Sequence, residues 1–275
     1  MGASCGRHEL FTGHNYTVQT PAHTPSNTVI PAQPRLPFVV AHRGASGSAP
    51  ENTLAAIRLA NTMGARCIEI DASVTADGRA VLHHDDRIDR CSDGEGLLLM
   101  HTAAELETRD FGSWFAPEFA HERIPSLADT ARLCAELGLG CNLEIKTTGG
   151  WDEPTARAVC DAARDWPTEA MPLVISSFSE RALQVAAERL PEVPRSLLAK
   201  IPPENWRERL AHTHSNALHT ADTPVLSRER LQPIIDAGYP VRVYTVDDPA
   251  RADALREMGV ECVFTNHPER FAPET

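Results

Sequence analysis

The sequence predicts an α/β fold, a (β/α)8 TIM barrel with a small insertion after the second strand. Short apolar runs rich in β-branched residues alternate with amphipathic helical stretches from residue 37 onward. A chain of 275 residues has room for one barrel domain of ordinary size. A doubly wound open sheet is the alternative, but such sheets more often have about five or six strands and a glycine-rich first turn. That turn is missing after the first predicted strand.

Each predicted strand is a short run bounded by turn or polar residues. The strands comprise residues 38–41, 67–73, 141–145, 173–177, 195–199, 215–219, 241–246 and 261–264. Several predicted helices have Ser, Asp or Pro near their starts, which favour a first helical turn. The helices comprise residues 51–63, 126–137, 152–164, 179–189, 203–210, 227–237 and 248–258.

Residues 86–125 break the alternation. They contain a turn rich in Gly, Asp and Ser at 92–96, a short apolar run at 97–100, and an aromatic cluster. About forty residues without a strand are too many for an ordinary connection, so we expect an inserted subdomain over the barrel mouth. The aromatic residues either line a binding site or form the insertion's own core. They are Phe111, Trp114, Phe115 and Phe119.

The domain prediction separates an amino-terminal arm, residues 1–36, from a barrel domain, residues 37–275. The arm has several prolines and no apolar periodicity. Such a segment buries too little surface to offset the entropy lost on ordering, so we expect the arm to be flexible.

The formal net charge of −12 opposes general binding to nucleic acid or to an anionic membrane. We therefore expect neither nucleic acid nor stable membrane association, and an anionic ligand would need local positive charge. The seven cysteines are scattered and form no C-x-x-C pair. With no signal-like start and no long apolar run, this composition predicts a reducing, cytoplasmic location.

Two acidic residues lie two apart on one predicted strand. Glu69 and Asp71 project from the same face, about 7 Å apart. Like charges on a buried strand are unfavourable unless a cation or a proton compensates them. Oxygen ligands favour a hard ion such as Mg²⁺, Ca²⁺ or Mn²⁺ over zinc. A solvated edge strand with two ordinary surface acids is the alternative.

Further polar residues end neighbouring strands. In TIM barrels the carboxyl ends of the strands meet at one mouth, where catalysis takes place. His42 and Arg43 end the first predicted strand, and Glu144 and Lys146 end the third. Glu144 would complete an oxygen cage for one divalent cation, while Arg43 and Lys146 would contact phosphate.

Two histidines are candidates for proton transfer. His84 follows a short extended run at 80–82, close enough to fold over the same mouth as His42. Because histidine titrates near neutrality, this pair can supply a general base and a general acid. Glu51 would either cap a helix or hold Arg43 by a salt bridge, and Tyr244 would stack on a ligand or serve as a core aromatic. The remaining candidates fit core or surface positions better, namely His83, His101, His121, His212, His214, His219 and His267.

These residues belong to an ordered series of short motifs. The series is HRG at 42–44, PENT at 50–53, E-x-D at 69–71, V-x-x-H-D at 81–85, R-x-x-x-G-x-G at 90–96, F-G-S-W-F at 111–115, I-P-S-L at 124–127, N-L-E-I-K at 142–146, S-S-F at 176–178, Y-T-V at 244–246 and G-V-x-C-x-x-T at 259–265. It resembles the glycerophosphodiester phosphodiesterase family, particularly its cytoplasmic bacterial enzymes. Each motif alone is weak, but their order is specific.

The resemblance implies metal-dependent hydrolysis of a small glycerophosphodiester to sn-glycerol 3-phosphate and an alcohol. One divalent cation, Mg²⁺ or Ca²⁺, would be held by the three carboxylates, and the two histidines would be the acid and the base. The glycerol hydroxyl next to the phosphate would attack phosphorus, and water would then open the cyclic phosphate. The implied roles are metal ligation for Glu69, Asp71 and Glu144, acid/base catalysis for His42 and His84, and phosphate contact for Arg43 and Lys146. Glu51 and Tyr244 are further candidates for the substrate site.

Three positions depart from the family pattern. Thr147 replaces a frequent proline, Cys91 a frequent hydroxyl residue and Asn266 a frequent aspartate, which bears on substrate preference. Two alternatives follow. One is a lysophospholipase D-like or sphingomyelinase-like enzyme acting on lipid, which an apolar groove near Trp114 and Phe119 would favour. The other is a non-catalytic barrel that binds phosphodiesters.

Overall fold

The computed structural model describes residues 30–167 and 172–272, and the elements alternate as the sequence predicts. The strands are β1 (Val39–His42), β2 (Cys67–Val74), β3 (Ala80–Leu82), β4 (Gly140–Ile145), β5 (Leu173–Ser177), β6 (Arg195–Ala199), β7 (Ala217–Ala221), β8 (Val241–Tyr244) and β9 (Cys262–Thr265). The helices are α1 (Leu54–Thr62), α2 (Ala103–Leu106), α3 (Leu127–Leu137), α4 (Asp152–Ala163), α5 (Glu180–Arg189), α6 (Trp206–His212), α7 (Arg228–Ile235) and α8 (Pro249–Glu257).

The sheet closes into a barrel because β1 pairs in parallel with both β2 and β9. Around the barrel the strands follow the order β1, β2, β4, β5, β6, β7, β8 and β9. The additional strand β3 pairs antiparallel with the end of β2 and stands outside this ring. The predicted (β/α)8 barrel is therefore confirmed, and the open-sheet alternative is excluded.

Side-chain caps define where several helices begin. Thr53, Ser126 and Ser179 each accept a hydrogen bond from a backbone N–H in the first turn of the helix that follows. Helix α1 consequently begins at Leu54, three residues later than predicted, because the Pro-Glu-Asn-Thr stretch forms a turn and supplies the cap.

The apolar core lies between the barrel wall and the surrounding helices, whereas part of the barrel interior is polar. Arg242 is fully buried inside it, beside Ser196 and His219, and pairs with Glu261 at 2.6 Å. Gln33 spans this polar base. It donates to the carbonyl of Arg195 and to Asn216, and its own oxygen accepts from Arg242. The last part of the predicted arm thus contacts the barrel, while residues 1–29 of that arm lie outside the described residues.

The segment between β3 and α3 contains helix α2 and two short 3₁₀ helices, Leu98–Met100 and Pro117–Phe119. It has an apolar core of its own, in agreement with a small insertion after the second barrel strand. That core comprises Ile88, Leu98, Leu106, Phe111 and Ile124, together with Val81 of β3.

The six cysteines in the described ranges are all buried. No helix within those ranges has the length and apolar character that crossing a membrane requires.

Candidate active site

The turn after β1 directs a histidine and an arginine toward the mouth of the barrel. Arg43 has a positive φ of 56°, which a non-glycine residue rarely adopts, and Gly44 follows with φ of 77°. A Cβ atom at Gly44 would lie 2.6 Å from the backbone of Ala56 in α1, so only glycine allows this close packing. The requirement explains the His-Arg-Gly order at this turn.

Three carboxylates meet at the carboxyl ends of β2 and β4. In the parallel register of these strands, Asp71 lies beside Glu144, and Glu69 lies two positions earlier, beside Asn142. One oxygen atom from each residue lies within 4.8 Å of the others, and all three side chains are buried. Glu69 Oε1 has no hydrogen-bond partner in the described part of the chain. A buried, unpartnered carboxylate oxygen beside two other acids is the environment that a hard divalent cation would compensate.

The electrostatics of this triad point the same way. Burial, together with the charges of Asp71 and Glu144, raises the pKa of Glu69 well above its usual range. Burial and Asp71 raise the pKa of Glu144 to about 7. Burial would also raise the pKa of Asp71, but the charges of Arg43 and Lys146 outweigh it and hold that pKa low. The three residues therefore fit a metal ion, because they offer oxygen ligands at a suitable spacing. Without a cation, ionisation of Glu69 and Glu144 is unfavourable.

Two positively charged side chains, Arg43 and Lys146, lie beside the triad. Arg43 Nε is 3.0 Å from Asp71 Oδ2, and Lys146 Nζ is 2.9 Å from Glu144 Oε1. Arg43 also contacts Glu51 at 2.8 Å through Nη1. Of the two interpretations of Glu51, the structure therefore shows the salt bridge, since Thr53 and not Glu51 caps α1. Neither cation has every donor engaged, so both can take part in binding an anion.

His42 is held by a chain of polar side chains at the end of β9. Its Nδ1 lies 2.7 Å from Asn266 Oδ1, which also accepts from Ser46, while the Asn266 amide nitrogen donates to Asp247. Because Asn266 presents an acceptor, His42 carries its proton on Nδ1 and leaves Nε2 as a base, 3.8 Å from Glu69. Burial and the charge of Arg43 lower the pKa of His42 to about 4, so the imidazole is neutral at physiological pH.

His84 follows β3 and has a different environment. Its Nδ1 lies 2.6 Å from Asp85 Oδ1, and Asp85 in turn accepts from Arg90 at 2.6 Å. Arg90 also bonds both oxygens of Glu51. This chain connects the support of His84 to that of Arg43 and sets the orientation of the imidazole ring.

A cavity of about 430 Å³ joins these groups at the mouth of the barrel. Most of the predicted site residues line it, whereas Asp71 and Glu51 are not among the lining residues. The predicted residues on the wall are His42, Arg43, Glu69, His84, Glu144, Lys146 and Tyr244. Tyr244 packs edge-on against Phe178 at 6.1 Å between ring centroids.

Several residues of the site were not predicted from the sequence. Asn142, Phe178, Lys200 and His219 also line the cavity, although His219 had been assigned to core or surface positions. Asn142 precedes Glu144 by two positions, so strand alternation could have placed it on the same face. Asn52 could also have been found within the PENT motif. Its amide donates to Asp71 Oδ2 and accepts from the Asp71 backbone.

The aromatic residues of the insertion do not reach this cavity. Phe111 is buried in the insertion's core, and Phe115 packs edge-on against both Trp114 and Phe119. None of the four is among the residues that line the cavity. The interpretation of this cluster as the insertion's own core is therefore the one that the described contacts favour.

The closed α/β barrel brings an acidic triad, two basic side chains that can bind phosphate, and two histidines to the ends of its strands. This combination defines a phosphodiesterase-type hydrolase site. Comparison with known proteins narrows this class. The model of the glycerophosphoryl diester phosphodiesterase family matches residues 42–270. The chain belongs to that family.

Three similar proteins match this chain along most of their length. A phosphodiesterase of Oleispira antarctica, solved in complex with the product sn-glycerol 3-phosphate, is 37% identical with a TM-score of 0.83, and the match covers 86% of this chain and 95% of that chain. The glycerophosphodiester phosphodiesterase of Caldanaerobacter subterraneus subsp. tengcongensis is 31% identical, with 84% of this chain and 95% of the relative covered. A glycerophosphodiester phosphodiesterase of Bacillus subtilis is 29% identical, with 85% of each chain covered.

Proposed function

We propose that this protein hydrolyses glycerophosphodiesters to sn-glycerol 3-phosphate and an alcohol with the help of one divalent cation, Mg²⁺ or Ca²⁺. The observation that carries the proposal is the convergence of the Glu69, Asp71 and Glu144 oxygens within 4.8 Å of one another. Phosphate-binding cations and two imidazoles surround this triad in one cavity. The Oleispira relative with bound sn-glycerol 3-phosphate supports the choice of substrate.

Each side chain has a role in this proposal. The three carboxylates would hold the cation, which neutralises charge on the phosphoryl oxygens when it is bound. Arg43 and Lys146 would bind and orient the phosphate. His42, neutral and with Nε2 free, would take the proton from the glycerol hydroxyl that attacks phosphorus.

His84, oriented by Asp85, would give a proton to the alcohol that departs, and water would then open the cyclic phosphate to sn-glycerol 3-phosphate. Glu51 would support Arg43 and Arg90 rather than touch the substrate, and Tyr244 would contact the organic part of the diester. We further propose a cytoplasmic location and a free, small-molecule substrate, on the basis of the buried thiols and the acidic charge.

The test is release of sn-glycerol 3-phosphate from glycerophosphocholine and glycerophosphoethanolamine by the purified protein. The assay is run with Mg²⁺, with Ca²⁺ and with excess chelator. We expect release with at least one ion and none with chelator. No release, in protein shown by calorimetry to bind the ion, would contradict the proposal and favour the non-catalytic barrel.

One observation favours the lipid alternative. Large apolar side chains are exposed on four successive loops after β4 to β7, between 40% and 47% of each surface. They are Trp151, Phe178, Ile201 and Val225. These loops, and not the predicted groove near Trp114, would be the place for an acyl chain. Comparing rates on 1-acyl-lysophosphatidylcholine and glycerophosphocholine decides between the two, because an enzyme for free diesters should prefer the second.

A further inference from the structure

The chain contains only two lysines, Lys146 and Lys200, against 24 arginines. Both lysines line the same cavity. Outside this cavity the protein uses arginine for every basic position, and the two side chains are not interchangeable, because lysine offers a compact ammonium with three rotatable donors. This distribution marks Lys200 as part of the site, although the hydrolytic roles above leave it unused.

Lys200 stands across the mouth from the reacting groups. It directly follows β6, and in the closed eight-strand ring β6 is four strands from β1 in either direction. His42 and Arg43 at the end of β1 are therefore on the opposite side of the barrel. Neighbouring strands are about 4.8 Å apart, so Lys200 and the Arg43 turn are separated by most of the barrel's width. Lys200 is placed for a part of the substrate that extends away from the phosphate.

The wall near Lys200 includes hydrogen-bond donors without partners among the described residues. Lys200 is exposed and its ammonium has no ion pair with any described residue, whereas Arg43 and Lys146 in the same cavity each have one. Two hydroxyl oxygens on the same wall, Thr223 Oγ1 and Tyr244 Oη, are buried and have no hydrogen-bond partner in the described ranges. Buried polar atoms are normally paired, so these atoms are arranged for a ligand or for water.

This half of the cavity also has no acidic side chain. The lining residues contributed by β5 to β9 and the loops after them are neutral, with Lys200 as the exception. They are Ser176, Phe178, Leu198, His219, Ala221, Thr223, Tyr244, Thr245 and Phe264. His219 itself is kept neutral because burial and then Arg242 lower its pKa well below the usual value. An ammonium with two hydroxyl donors and no carboxylate is complementary to an anion or an acceptor-rich group, and it repels a quaternary ammonium.

We infer that Lys200, with Thr223 and Tyr244, forms a specificity subsite for an acidic group on the alcohol of the diester. Substrates with a carboxylate or a second phosphate on that alcohol are then preferred over those with choline. The inference rests on the proposed hydrolysis and adds the class of alcohol that the site accepts. Lys200 is a specificity-determining residue in this account and takes no part in proton transfer.

The kinetic test compares Lys200→Met, Lys200→Arg and wild type on three diesters. Glycerophosphocholine carries a cation, glycerophosphoserine a carboxylate beside an ammonium, and glycerophosphoglycerol 3-phosphate a second phosphate. We expect Lys200→Met to lower kcat/KM for the two acidic diesters about tenfold, the size of one charge-assisted hydrogen bond in a partly hydrated site. The value for glycerophosphocholine should not fall, and should rise by up to about twofold because a repelling charge is removed. Lys200→Arg should restore part of the loss because it retains the charge.

The pattern across substrates decides the inference. A loss of kcat/KM on one acidic diester alone would support the inference and identify which acidic group is bound. Equal losses on all three would mean that Lys200 acts on the reacting phosphate or on the glycerol, and would overturn it. A substrate preference in Lys200→Met that equals that of wild type would also overturn the inference. Thr223→Val serves as a second variant, and we expect it to weaken the acidic diesters more than glycerophosphocholine.

A labelling experiment gives an answer that does not require turnover. In a His84→Ala background with Mg²⁺ or Ca²⁺, acetylation of Lys200 and Lys146 by an amine-selective reagent is followed by mass spectrometry. We expect glycerophosphoserine to protect Lys200 more than glycerophosphocholine does, relative to Lys146. Equal protection by both contradicts the inference. Absence of release from any diester in the wild type would refute the proposed hydrolysis instead, while this labelling result still tests Lys200.

Discussion

Glu144→Gln should make the metal-free protein more stable at pH 8, although it removes a residue of the proposed metal site. Burial and Asp71 raise the pKa of Glu144 from 4.5 to about 7, in spite of the ion pair with Lys146. A carboxyl with a raised pKa contributes stability that is full below pH 4.5 and is lost as the pH rises through 7. The difference between the two pKa values corresponds to roughly 3 kcal/mol in the free energy of unfolding at pH 8. Glutamine cannot ionise and avoids that loss.

Thermal unfolding in excess chelator measures the effect. We expect the Tm of Glu144→Gln to exceed that of wild type by roughly 6 to 12 °C at pH 8, and by little at pH 5. Added Mg²⁺ or Ca²⁺ should reverse the order at pH 8, because the ion stabilises the wild type by binding only its folded state. The variant lacks one ligand and should respond weakly.

The matched control is Glu136→Gln, which neutralises an exposed acid on α3 with no ion pair to a described residue. It should change neither the Tm nor its dependence on pH and metal. The reasoning is refuted if Glu144→Gln is less stable than wild type in chelator at pH 8. It is also refuted if the two proteins differ equally at pH 5 and pH 8.

Three other predictions concern catalysis and the base of the barrel. His42→Ala or His84→Ala should lower turnover by about 10²–10⁴ with metal binding retained, the usual size for an acid or a base; wild-type turnover would remove that histidine from the mechanism. Asn266→Ala should lower kcat by about tenfold or more with little change in KM, because the His42 ring loses its fixed tautomer; steady-state kinetics checks this, and an unchanged kcat speaks against it. Arg242→Met should lower the free energy of unfolding by about 3 kcal/mol, since its partner Glu261 is left without a counter-charge; denaturant titration measures the loss, and unaltered stability would show that the pair contributes nothing.

The fold could be predicted because its signal is local. The strand β5 was predicted with the bounds that the structure has, and β9 differs by one residue, since a buried parallel strand is an unbroken apolar run. A helix start was predicted too early where a turn precedes the helix, as at Glu51 to Thr53 before α1. The docking of Gln33 could not be predicted, because its partners lie more than 160 residues away along the chain.

The residues of the candidate site also divide into those that local sequence patterns predict and those that depend on the closed barrel. The acidic pair on β2 and the residues at the ends of β1 and β4 follow from strand alternation and from barrel geometry. The supports of the histidines do not, because Asn266 reaches His42 only when β9 closes against β1. Lys200 could have been singled out by composition alone, as one of two lysines, but its place in the cavity needed the closed ring.

The contacts of Gln33 bear on the order in which the chain acquires its structure. This side chain is made early in synthesis, while its partners on β6 and β8 and at Asn216 are made much later. Gln33 can reach all of these partners only after β6, β7 and β8 have paired, and contacts so distant along the chain slow the overall folding rate. The amino-terminal strand β1 likewise waits for β9 before the ring is complete. Docking of Gln33 is therefore a marker of a finished barrel, and its hydrogen bonds should be among the last that a refolding molecule gains.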